Sequence, residues 1–159
     1  MRSKRRNNIS NLAINKAHEP VDRGIALRQY ARYLFAQENL EEGRRRFLEA
    51  VDCFDGDSDL SRSYRGNSYE RWAHREADWG KWDDADEKLR MALENFGRLA
   101  NPTRRRNETE RVKKLREEFA RRKIDEPGRD NIKTTGPSAV PDAIVASIAE
   151  KQVIIPKSE

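Results

Sequence analysis

The sequence predicts an all-α protein: a short right-handed α-α superhelix of two helix hairpins, followed by a C-terminal capping helix. Three observations carry this. Apolar residues recur at steps of three and four through successive stretches, the spacing of one helix face. No pair of alternating, strand-like runs occurs anywhere. And the order of large and small apolar residues that begins at Leu40 begins again at Trp82, as in a stack of repeated helical units.

The apolar stock suits such a stack. Hydrophobic residues make up 35% of the chain and charged residues 38%, too thin a supply for a large central core. Helices that each bury one stripe use less of it. Both charge signs are abundant and aromatics cluster in the middle, so the composition is not that of a disordered chain.

Each element follows from its own residues. Residues 1–20 form a basic, largely flexible tail with a weak apolar cluster at Ile9, Leu12, Ala13 and Ile14, where Ser10 or Asn11 could cap a short helix. The helical region spans residues 21–124. From Val21 to Phe35 a stripe of Ala26, Leu27, Tyr30, Ala31 and Leu34 predicts the first helix. Asn39 interrupts it, and Leu40, Gly43, Phe47, Ala50, Val51 and Phe54 mark the second. Asp-rich residues 55–59 break the run. The third helix carries Leu60, Tyr64, Tyr69, Trp72, Ala73 and Ala77, and Gly80 ends it. Trp82, Ala85, Leu89, Ala92, Leu93 and Phe96 define the fourth. Pro102 then punctuates, with Thr103 as the expected N-cap of a fifth helix over 103–123. Its stripe of Val112, Leu115 and Phe119 is narrow, as a capping helix requires, and Pro127-Gly128 stops it. Residues 125–159 read as a flexible tail holding a short apolar segment at 141–156.

Catalysis finds little support. His18 and His74 are the only histidines, and no nucleophile elbow, metalloprotease, P-loop or dinucleotide motif occurs. The expectation is a non-enzyme without cofactor or metal. Asp55, Asp57 and Asp59 imitate the start of a calcium loop, but Leu60 replaces the glycine of its turn and Gly66 its bidentate glutamate. Cys53, the single cysteine, excludes an internal disulfide and reads as a small buried hydrophobe. With no apolar leader or span, a cytoplasmic protein away from membranes is expected.

Aligned on this second start, Leu40, Gly43, Phe47 and Ala50 match Trp82, Ala85, Leu89 and Ala92, while Tyr30-Ala31 matches Trp72-Ala73. Small residues admit a neighbouring helix closely, and large ones fill the grooves beside them. With Gly80 before the turn, this pattern resembles the tetratricopeptide repeat, over roughly residues 24–99. The first unit departs from that pattern by Glu38 in place of glycine and Gly43 in place of alanine. The resemblance implies a scaffold that binds partners through a groove made by the first helix of each hairpin. Its groove positions fall at Arg28, Gln29, Arg32 and Phe35 in one unit, and at Asn67, Glu70, Arg71 and His74 in the next. Arg28 and Arg32 lie one turn apart, and guanidinium pairs suit bidentate capture of carboxylates or phosphates. An acidic peptide or helix is the partner such a face favours. On a chain with 33 Lys plus Arg, simple solvation of these arginines is the competing explanation. Two units offer a short groove, so self-association could extend it.

The charge distribution offers an alternative. Residues 103–123 carry ten Lys or Arg against four Glu. Arg104, Arg105, Arg106, Lys113, Lys114, Arg121 and Arg122, with Arg2, Lys4, Arg5 and Arg6, could form a nucleic-acid footprint. Glu108, Glu110, Glu117 and Glu118 argue against it, because they offer ion pairs along the same helix. The tail segment could fold into the groove or be delivered to a partner.

Overall fold

The computed structural model of the chain describes residues 12–17 and 19–126. Among these the protein is all-α. The helices are α1 (Pro20–Ala36), α2 (Leu40–Asp52), α3 (Asp59–Asp78), α4 (Trp82–Gly97) and α5 (Pro102–Asp125), preceded by a short helical stretch at residues 12–16. The apolar segment at 141–156, the linker before it and the basic residues before Leu12 lie outside the described residues, as does His18.

Helix ends follow local chemistry. Ser58 caps α3 by accepting from the Ser61 amide at 3.1 Å. Asn101, rather than the expected Thr103, caps α5 by accepting from the Arg104 amide at 2.9 Å. Pro102 explains the difference: it has no N–H to satisfy and fits the first helical position, which moves the cap upstream of it. The Asp59 carboxylate accepts from the amides of Ala100 and Asn101 at 2.7 and 3.2 Å, tying the start of α3 to the loop before α5. Asp57 of the loop preceding α3 pairs with Arg62 at 3.1 Å.

Two hairpins, α1–α2 and α3–α4, pack side by side, and α5 lies on the second. Matching positions of the two hairpins are built alike. Glu38 and Gly80, which end the first helix of each hairpin, both adopt positive φ, 63° and 70°. Gly24 lies under the Phe54 ring and Gly66 under the Phe96 ring; a Cβ at either glycine would come within 2.6 Å of the ring. Arg46 stacks over Tyr30 at 5.6 Å, and Lys88 over Trp72 at 4.5 Å.

The main core lies between the hairpins and under α5. Phe47 stacks on Trp72 at 5.5 Å, Leu89 and Ala92 are fully buried, and Val112 and Phe119 close one end. Ile14, from the segment expected to be a flexible tail, is buried against Leu27, Tyr30 and Leu34. Leu60, expected on the α3 stripe, is instead 59% exposed. Ser63 and Gly66 occupy the buried side of that helix beginning, so that the facing Phe96 can fit.

Candidate functional site

Side chains of α1 and α3 meet where Arg28 reaches across to Ser68, its Nη1 3.5 Å from the Ser68 Oγ. Ser68 donates its own hydroxyl to the Tyr64 carbonyl at 2.8 Å, which leaves a lone pair turned toward the guanidinium. Around this crossing stand Arg32, one turn along α1, and Arg71 and Arg75, one and two turns along α3. Arg32 donates to Gln29 at 3.1 Å, and Arg75 pairs with Asp78 at 3.2 Å. Arg71 is exposed and has no hydrogen bond or ion pair among the described residues. No carboxylate pairs with Arg28, Arg32 or Arg71 among them.

The electrostatics register that deficit. Burial lowers the Arg28 pKa, and the positive charges of Arg71 and Arg32 lower it further. Arg32 is lowered in the same way, by burial and then by Arg71 and Arg75. Several guanidiniums that contact other elements are compensated, although Arg65 meets only the Asn95 side chain and the Phe54 carbonyl. Arg44 donates two hydrogen bonds of 2.7 Å to Glu76, Arg111 bonds Glu70 and Glu108, and Arg116 forks onto Asp86 at 2.7 and 2.9 Å. Those partners raise the arginine pKa in each case.

The structure revises the expected groove. Phe35 does not line it: the ring is 1% exposed and packs edge-on against Phe47 at 5.9 Å. The missing side chain of Gly43 leaves the space that Phe35 fills. Arg28 does not project beside Arg32 but lies beneath it, 8% exposed, with its Nε buried and unpartnered. Gln29 is exposed and Asn67 half-buried. Two positions of the second unit are taken by α5. Glu70 binds Arg111, and the half-buried His74 ring stands edge-on to Phe119 at 5.4 Å. Burial lowers the His74 pKa. Ser68 and Arg75 were not legible as members of the cluster, because their role depends on which side of α3 meets α1.

An open depression of about 480 Å³ lies between α3 and α5, lined by Glu70, His74, Arg111, Lys114, Leu115 and Arg121 among others. Its central arginine already holds two glutamates. On α5, Arg104, Arg105, Arg106, Lys113, Lys114 and Arg121 are exposed as expected, although Arg105 also bonds the Leu99 carbonyl at 3.0 Å. Arg122 is half-buried over the Trp82 ring at 5.1 Å. Of the four interleaved glutamates only Glu108 pairs with a basic residue of the helix, Arg111. Arg116 and Lys123 reach instead to Asp86 and Asp83 on α4, because their side of α5 borders that helix.

No group of residues that could hold a metal ion occurs among the described residues, and no helix among them is long and apolar enough to cross a membrane. No protein-family model matches the chain, and neither a curated protein nor a solved structure does.

Proposed function

We propose that this chain is a non-catalytic adaptor, a short stack of helix hairpins of the tetratricopeptide kind, which binds an acidic peptide or helix across the face shared by α1 and α3. One observation carries the reading: Arg28, Arg32 and Arg71 converge there without a carboxylate, while arginines such as Arg44 and Arg116 at other helix contacts are neutralised. A face that gathers several uncompensated positive charges is complementary to an acidic partner. The devices repeated between the first hairpin and the second support the stacked-hairpin reading. Self-association would lengthen the short face, and a cytoplasmic setting suits a scaffold of this kind.

Arg32→Glu with Arg71→Glu tests the proposal, because both side chains reach solvent and the fold can be checked by circular dichroism. Partners retained by the wild-type chain at low salt are expected to be lost from the double reversal. Retention of the same partners by a folded double variant overturns it.

A second reading has its own observation. Arg104 and Arg105 lie in the first turn of α5, which contains no acidic residue, and Arg106 follows directly. Positive charge there opposes the helix dipole, so these arginines are better explained by a polyanion than by helix stability. Nucleic acid is that alternative partner. It predicts retention on RNA or DNA that falls steeply with salt; a flat, weak response removes it.

A further inference from the structure

We infer that Arg28, Arg32 and Arg71 form a binding site for a phosphate monoester dianion, carried into it by a phosphorylated side chain of the acidic partner. The inference rests on the reading of the α1–α3 face as the partner-binding surface, and adds the chemical group that the face selects.

The first support is the burial of Arg28. Arg28 is 8% exposed as a whole residue, with its Nε buried, and a charge so largely removed from water normally survives only with a counter-ion. Glu76 shows how this chain meets that demand elsewhere: the carboxylate is 1% exposed and takes a two-pronged Arg44 plus the Trp72 Nε1–H. Arg28 has only the Ser68 hydroxyl at 3.5 Å, and its Nε has nothing. A neutral hydroxyl does not offset a buried charge, so the protein alone leaves the site one anion short.

The second support is the number of charges. Arg28 is buried below, Arg32 and the exposed Arg71 stand nearer solvent, and Arg75 is already paired with Asp78. One carboxylate, with a single negative charge in one plane, leaves most of this field unanswered. A phosphate monoester brings nearly two negative charges near neutral pH and three acceptor oxygens pointing in different directions. Guanidiniums arriving from two helices can each meet one of them. Burial chiefly lowers the pKa values of Arg28 and Arg32, and the positive charges of Arg71 and Arg32 at the first, and of Arg71 and Arg75 at the second, add uncancelled repulsion. A dianion converts that repulsion into attraction. The groups that hold the arginines are already in place: Ser68 orients Arg28, and Gln29 accepts from Arg32.

The test uses the full chain, with the arginine Nε–H resonances followed by NMR during titration at constant ionic strength. The probes are inorganic phosphate, a blocked tripeptide with central phosphoserine, and its glutamate counterpart. Arg32 and Arg71 signals are expected to shift saturably with phosphate and not with chloride. The phosphoserine peptide should bind at least tenfold more tightly than the glutamate peptide and more tightly than free phosphate. Arg71→Ala should weaken it at least tenfold with the fold intact. Arg28→Met gives a readout that no merely structural role provides: it removes an uncompensated buried charge, so the thermal midpoint should rise without phosphate, while the further rise that phosphate gives the wild type should vanish.

Phosphate shifts no larger than those of chloride, equal binding of the two peptides, or an unaltered Arg71→Ala affinity each overturn the site. Free phosphate binding as tightly as the phosphoserine peptide overturns the partner-borne source. The two proposals separate cleanly. Loss of partner capture in Arg32→Glu with Arg71→Glu, without any phosphate response, leaves the adaptor and removes the phosphate site. A phosphate response with partner capture retained in that double variant does the reverse.

Discussion

Glu38 is the residue at which local chemistry and fold disagree most. Its φ of 63° places a side chain in the left-handed region where Gly80 does the same task in the second hairpin. That conformation costs a non-glycine residue about 1–2 kcal/mol, against about 0.5–1 kcal/mol for the extra unfolded-state freedom of glycine. Glu38→Gly is therefore expected to stabilise the protein by about 0.5–1 kcal/mol, visible as a higher urea midpoint at unchanged slope. Gly66→Ala should act oppositely, because a Cβ would lie 2.6 Å from the Phe96 ring; the expected loss is about 1–3 kcal/mol in the same assay. His74 sets a pH dependence. Folding lowers its pKa, chiefly through burial, although Glu70, Asp78 and Glu118 oppose the effect while Arg75 adds to it. The unfolded chain then takes up a proton near the ordinary value of about 6.5 that the folded chain resists. Stability present above that value is lost as the pH falls through it toward the folded pKa. Urea midpoints between pH 7.5 and 5.5 should decline less steeply in His74→Leu than in wild type.

Helices and their ends were legible because both are local. The three-and-four spacing located α1 to α4, and Gly80 announced its turn through the one residue type that tolerates it cheaply. Ion pairing between elements was not legible, since it depends on rotation about each helix axis. Arg44 of α2 and Asp86 of α4 hold the same place in their hairpins, and both form the forked pair to the next element with polarity reversed, Arg44 to Glu76 and Arg116 to Asp86. Their surroundings separate their effects. Arg44→Met strands Glu76, which is almost fully buried, and should cost about 3 kcal/mol. Both partners of the Arg116–Asp86 pair are substantially exposed, so Arg116→Met should cost under about 1 kcal/mol. Denaturant titration of the two variants side by side checks the contrast.

In the assembled protein, α5 is as much a part of the core as the hairpins. Val112 and Phe119 seal the main cluster, and the Trp82 indole meets Phe119 edge-on and carries Arg122 over its face. A chain ending at Asn101 should expose Trp82 and Leu99, redden tryptophan emission, bind a hydrophobic dye and lose its sharp thermal transition. A cooperative, dye-free transition in that truncation would show that the two hairpins suffice. The same placement of α5 decided how much of the expected groove survives, for it occupies Glu70 and His74 and leaves Asn67 and Arg71 with the α1 arginines.

Neighbours along the chain were enough to dictate five helices, their turns, and a packing recipe that starts at Leu40 and again at Trp82, because periodicity fixes which side chains share a helix face. What covers each face was settled only when the helices packed. Arg28 and Arg32 sit one turn apart on one helix, yet one is buried and the other reaches solvent, because the neighbouring α3 closes over part of that face and leaves the rest open.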